Sequence, residues 1–145
     1  MENIIIKYLE FVLVCYVIRF LSTRFLFEFQ FLKNFYYRRE ILPGVRNWNN
    51  RMKMIYYSEL FSFIQSVLAA LFFIVFFHFI PLAEYIKLIV CFLMYSFFII
   101  ADKVRFSIML TNYPYSLLIM DTAVFLFVSL LQFIAMAFMN SASPF

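Results

Sequence analysis

Asp121 is the residue with the most chemistry to offer. It is the seventh residue of an otherwise apolar stretch that begins at Tyr115. A carboxylate within such a stretch is expensive and marks either a proton, ion or ligand path or a pairing with a nearby cation. Ser129 and Gln132 follow eight and eleven residues later, which on a helix brings all three to nearly the same face. Asp121, Ser129 and Gln132 are therefore the candidate polar path through a membrane. The competing reading pairs Asp121, near the edge of its span, with Lys103, Arg105 or an arginine of the first helix.

The other reactive side chains are isolated. His78 is the single histidine; such a group can sense pH or hold a metal, but no second ligand stands near it in the pattern, and a hydrogen bond to a headgroup or neighbouring helix accounts for it. Glu10 lies three residues after Lys7, on one helix face. Glu59 follows Arg51 and Lys53; both acids read as members of charge pairs. Cys15 and Cys91 each sit in an apolar run and read as small buried hydrophobes. One glycine in the chain excludes a phosphate-binding loop, a dinucleotide fingerprint and a nucleophile elbow. One histidine excludes a bis-histidine haem site and a HExxH zinc site. The expectation is a non-enzymatic protein with no cofactor, metal or catalytic residue.

What positions these groups is a set of long apolar segments. Phe61 to Ile80 contains twenty residues with no acid, lysine or arginine, and a helix of that length covers about 30 Å, the thickness of a bilayer's hydrocarbon core. Across all 145 residues the chain is 66% hydrophobic and 14% charged, with a mean hydropathy of +0.92, against about 45–50% and 25% for soluble domains. The pattern predicts one all-α membrane domain: an integral membrane four-helix bundle with spans near 4–21, 58–80, 85–101 and 115–139. The first of these is interrupted by Lys7, Glu10 and Arg19, so an interfacial helix is its alternative; Lys7 and Arg19 stand near its ends, where they can snorkel. No basic n-region precedes it and no small-residue cleavage site follows, so it reads as a retained anchor.

Residues 22–57 form a basic arm. No Pro or Gly occurs before Pro43-Gly44, which allows the first helix to continue to Arg39. Phe25, Phe29, Leu32 and Tyr36 recur along one face, with Arg24, Glu28, Asn34, Arg38 and Arg39 mostly opposite, the pattern of an amphipathic surface helix against lipid or a partner. The run Phe27-Glu28-Phe29-Gln30-Phe31 also alternates as a strand does, but a lone strand has nothing to pair with. Trp48, between asparagines, reads as an interfacial residue before the second long helix, which runs from about Arg51 to Phe79 and stops at Pro81. Along that helix Ser58, Ser62, Ser66 and Ala70 recur every four residues, a small-residue seam that allows close helix approach. Pro81 to Glu84 makes a tight turn, and Asn112-Tyr113-Pro114 breaks the chain before the last span.

Of the twelve Lys and Arg, eight lie in residues 19–53 and two, Lys103 and Arg105, in the 102–114 loop; only Lys7 and Lys87 fall elsewhere. The positive-inside rule then puts the arm on the cytoplasmic side and both termini on the other, in an inner, plasma or organelle membrane. The basic arm is explained by anionic lipid headgroups, so nucleic acid is not expected as a partner. Expected partners are the anionic bilayer and other membrane subunits or a second copy. These features fit a small accessory or assembly subunit of a larger membrane complex; the alternatives are a small oligomeric transporter or channel with Asp121 in the path, and a lytic or defence-related pore.

Overall fold

The computed structural model describes residues 2–38, 51–109 and 114–142. They form five helices: α1 (Glu2–Glu28), α2 (Gln30–Tyr37), α3 (Arg51–Phe79), α4 (Glu84–Met109) and α5 (Tyr115–Ala142). The all-α expectation holds, and three helices are long and apolar enough to cross a membrane: Ile55–Phe77, Glu84–Arg105 and Tyr115–Ala142. Such a composition marks a membrane protein. α1 is as long, with 27 residues against 26 in α4, but Lys7, Glu10 and Arg19 keep it less apolar.

Hydrogen bonds and ring contacts fix the directions of these helices. Tyr8 donates to the carbonyl of Val67 at 3.4 Å and Tyr16 to Glu59 Oε2 at 3.1 Å, so α1 runs antiparallel to α3. Gln132 meets Cys15, and Arg19 meets Phe125, so α1 is antiparallel to α5 as well. α4 returns against both α3, where Tyr95 lies 5.8 Å from Phe72, and α5, where Phe92 lies 6.0 Å from Phe133. The start of α1, the 80–83 turn and the end of α5 thus share one end of the molecule. The α1–α2 corner and the start of α5 share the other.

The core is aromatic. Phe73 meets Phe11 edge-on at 5.5 Å and Phe133 at 5.9 Å, and Tyr95 lies 5.4 Å from Phe133. Such offset and T-shaped pairs suit the ring quadrupoles. Ala69 and Ala70 are fully buried beside Phe73, giving the bulky rings room. Cys15 and Cys91 are free and buried, as their apolar surroundings imply. On the outside, Leu13, Leu71, Leu93, Phe97, Ile134 and Phe138 are exposed, the surface expected of helices whose solvent is lipid.

Two element boundaries differ from the sequence expectation. The first helix does not continue unbroken to Arg39: Phe29 is extended (φ −64°, ψ 120°) and separates α1 from α2. Its amide still bonds to the Leu26 carbonyl and its own carbonyl receives Lys33 N–H, so the corner leaves few backbone groups unpaired. The turn buries Leu32 and carries Tyr36 to Asp121. α4 also runs past the expected end at Ala101, through Asp102-Lys103-Val104-Arg105 to Met109. Nothing in that stretch breaks a helix, and the added turns bring Lys103 opposite Asp121.

The remaining starts follow local chemistry. The Ala83 carbonyl receives the amides of Ile86 and Lys87, opening α4, and the Pro114 carbonyl receives those of Leu117 and Leu118, opening α5. Glu84 occupies the first turn of α4, where a carboxylate complements the helix dipole. Pro43, Gly44, Trp48, Asn112 and Tyr113 lie outside the described residues.

Candidate functional site

The polar groups gather at the end that holds the α1–α2 corner. Asp121, in the second turn of α5, is clasped from two sides. Lys103 Nζ of α4 stands 3.7 Å from Oδ2, and the Tyr36 hydroxyl of α2 donates to Oδ1. Lys103 is among the partners the sequence offers for Asp121; Tyr36 is not, because its approach depends on the corner at Phe29. The Asp121 side chain keeps 23% of its surface exposed and that of Lys103 35%, so the pair is neither fully dry nor free in solvent.

Beside this pair lies a half-open cleft of about 480 Å³, lined by Arg19 and Thr23 of α1, Tyr36 of α2, Gln65 and Leu68 of α3, Ile99, Asp102 and Lys103 of α4, and Asp121, Val124, Phe125 and Val128 of α5. All five helices contribute. Its polar groups lie toward the corner and its apolar wall descends into the molecule. Arg19, expected to snorkel from a span end, turns inward: its guanidinium sits 5.9 Å from the Phe125 ring centre, and its Nε and Nη1 are withdrawn from solvent with no acceptor among the described residues. Sequence reading missed this, since inward and outward orientations of an arginine one turn from a span end look alike until the helix face is known.

The other members of the predicted polar stripe lie deeper. Ser129 and Gln132 are fully buried. Gln132 Nε2 donates to the Cys15 carbonyl at 2.8 Å and to Ser66 Oγ at 3.3 Å, tying α5 to α1 and α3. Ser129 Oγ and Gln132 Oε1 have no partner among the described residues. The stripe faces other helices, and beyond Gln132 the interior is filled by Phe11, Phe73, Phe133 and Met136.

The small-residue seam is engaged only in part. Ser66 and Ala70 are buried, Ser62 is half-buried and Ser58 is exposed. Ser66 returns its hydroxyl to the Ser62 carbonyl at 2.9 Å, a bond that satisfies the group within its own helix.

The predicted lipid- or partner-contact residues divide in two. Leu32 is buried and Tyr36 is bound to Asp121, so both face the protein. Phe25 and Phe29 are 67% and 50% exposed and pack on each other edge-on at 5.2 Å. Arg24 is exposed, with its guanidinium 4.2 Å from the Phe20 ring centre; Arg38 is exposed, and Arg39 lies outside the described residues. His78 occupies the last turn of α3. Glu59 is met by the Tyr16 hydroxyl, and Lys87 lies over the Phe77 ring at 5.6 Å.

Among the described residues no group of three or more His, Cys, Asp or Glu converges as a metal site would. The three long apolar helices define a helical membrane protein. No family model, curated protein or solved structure matches the chain, so its particular task is argued from the molecule itself.

Proposed function

We propose that the chain is a four-span membrane protein, with α1 crossing alongside α3, α4 and α5, that serves as a non-enzymatic accessory or assembly subunit of a larger membrane complex. The observation that carries this reading is the aromatic surface at the α1–α2 corner. Phe25, Phe29 and Phe31 are exposed there by 50% to 70%, flanked by exposed Arg24, Lys33 and Arg38. Large rings at the basic end of a bundle, beyond the apolar belt, gain most from a protein surface that covers them. The positive-inside rule, applied to the described cations at that end, supports a cytoplasmic or equivalent side for the corner and the opposite side for both termini.

The test is co-purification after mild detergent extraction. Wild type is expected to bring a defined membrane partner, and the triple substitution F25A/F29A/F31A to lose it while keeping its helix content. A monomer in every preparation, with no change on substitution, would count against the reading.

A second reading is supported by the cleft itself: a small oligomeric transporter in which Asp121 takes part in substrate or proton passage. An open, five-sided polar recess beside a partly buried ion pair is where such chemistry would begin. Liposome flux of wild type against Asp121→Asn discriminates. Flux present in wild type and abolished by the substitution supports it; equal flux in both removes it.

A further inference from the structure

The aspartate in the cleft is satisfied and the arginine is not. Asp121 is held by Lys103 and Tyr36, whereas the Nε and Nη1 of Arg19 are shielded from solvent without an acceptor among the described residues. The face of Phe125 offers Arg19 only a weak cation–π contact. A guanidinium stays charged under all ordinary conditions, so removing its donors from water without an acceptor is strongly unfavourable. Nε and Nη1 belong to different edges of the guanidinium, each shared with Nη2, and either edge matches two oxygens of a phosphate or carboxylate at once.

The recess has room for such a group. Arg19 and Lys103 both line it, so two cations face one space. Asp102 stands at the same cleft but is exposed to solvent, and Asp121 is already engaged. Below these groups the wall is apolar, formed by Leu68, Val124 and Val128. A cationic mouth over an apolar wall, between helices at the basic end of a membrane domain, suits a phosphate carried on an acyl chain.

We propose that the cleft binds a phosphate-type oxyanion, gripped by the guanidinium of Arg19 with Lys103 as the second cation. The oxyanion is supplied by the headgroup of an anionic phospholipid or by a soluble phosphate. The inference rests on the membrane reading but not on the existence of a partner complex, so loss of co-purification and loss of anion binding are separate results.

The test uses the full chain in nanodiscs of phosphatidylcholine mixed with phosphatidylglycerol. Retained lipid is read by native mass spectrometry, and in parallel the detergent-purified protein is titrated with inorganic phosphate while its thermal unfolding is followed. Wild type is expected to retain phosphatidylglycerol roughly tenfold over phosphatidylcholine, a preference lost in Arg19→Gln and kept in Arg24→Gln, which changes surface charge without touching the cleft. Lipid enrichment without a response to phosphate identifies the headgroup as the source. A phosphate response that also disappears in Arg19→Gln identifies a soluble anion. Should Arg19→Gln fail to fold, Arg19→Lys keeps the charge and removes the fork, and it is expected to lose most of the preference. Equal retention of both lipids by wild type with no phosphate response overturns the proposal. Enrichment that persists undiminished in the folded Arg19 variants overturns it too.

Discussion

The two ends of the molecule solve the problem of a lipid solvent in opposite ways. At the end holding the termini, Phe11, Phe73, Phe133 and Met136 close the interior completely. At the end holding the α1–α2 corner, the same helices separate around a recess, and their contacts become polar: Lys103 to Asp121, Tyr36 to Asp121, Tyr16 to Glu59. Apolar burial adds little to helix association when lipid tails are as apolar as the side chains, so the closed end depends on dense packing. The open end depends on a few directional bonds. One end should therefore respond to changes of volume and the other to changes of donor, acceptor or charge.

The largest effect is expected at the closed end. Phe73 touches Phe11 and Phe133 and stacks on Phe77 at 4.5 Å, so Phe73→Ala removes a ring from the centre of the cluster. A loss of about 3 kcal/mol or more is expected, read as a lowered unfolding midpoint in mixed micelles. A loss as small as that of an exposed position such as Leu93 would show that the cluster is not where stability resides.

The next effect is local. Tyr36→Phe keeps the ring and removes the hydrogen bond that fastens α2 to α5. A hydrogen bond to a charged acceptor is worth about 1.5 kcal/mol, so opening of α2 should rise about tenfold. Amide exchange across Gln30–Tyr37 measures this, while exchange in α3 and α5 should remain as in wild type. Uniformly faster exchange would mean that the open end is coupled to the closed one.

The contrast between the ends also explains what could be read from the sequence. The long helices were legible because twenty consecutive residues without an acid, lysine or arginine and two proline breaks leave few alternatives; α3 ends just before Pro81, as that residue indicates. The inward polar face of α5 was legible because Asp121, Ser129 and Gln132 repeat at helical spacing. The corner at Phe29 was not. No glycine or proline announces it; only the low helix preference of the alternating aromatics at Phe25, Phe27, Phe29 and Phe31 hints at it, and the contacts that select it, Leu32 and Tyr36, form with distant parts of the chain. The inward turn of Arg19 was hidden for the same reason: it becomes visible only when Phe125 and Lys103 are known to face it.

A smaller effect separates the ion pair from its surroundings. Lys103→Met and Asp121→Asn, with the double variant, form a cycle whose coupling should be about 0.5–1 kcal/mol, because both side chains retain contact with solvent. The unfolding midpoints of the four proteins measure it. Zero coupling would leave Tyr36 as the principal holder of Asp121 and would make the recess a feature of packing rather than of charge.

The smallest effect is expected where the two ends meet. Gln132 lies between the aromatic cluster and the cleft, with Nε2 bonded to Cys15 O and Ser66 Oγ but Oε1 without a partner among the described residues. Gln132→Leu removes the two donated bonds and also a buried oxygen that costs free energy, and these changes oppose each other. Interhelical side-chain bonds in membrane proteins average about 0.6 kcal/mol, so the net loss should not exceed that. If the unfolding midpoint barely moves while liposome flux disappears, Gln132 is serving a path and not a fold, and the closed end is less closed to small solutes than its packing indicates. If stability falls by several times the expected amount, the polar contacts extend their role into the aromatic half, and the division between the two ends gives way to one continuous network.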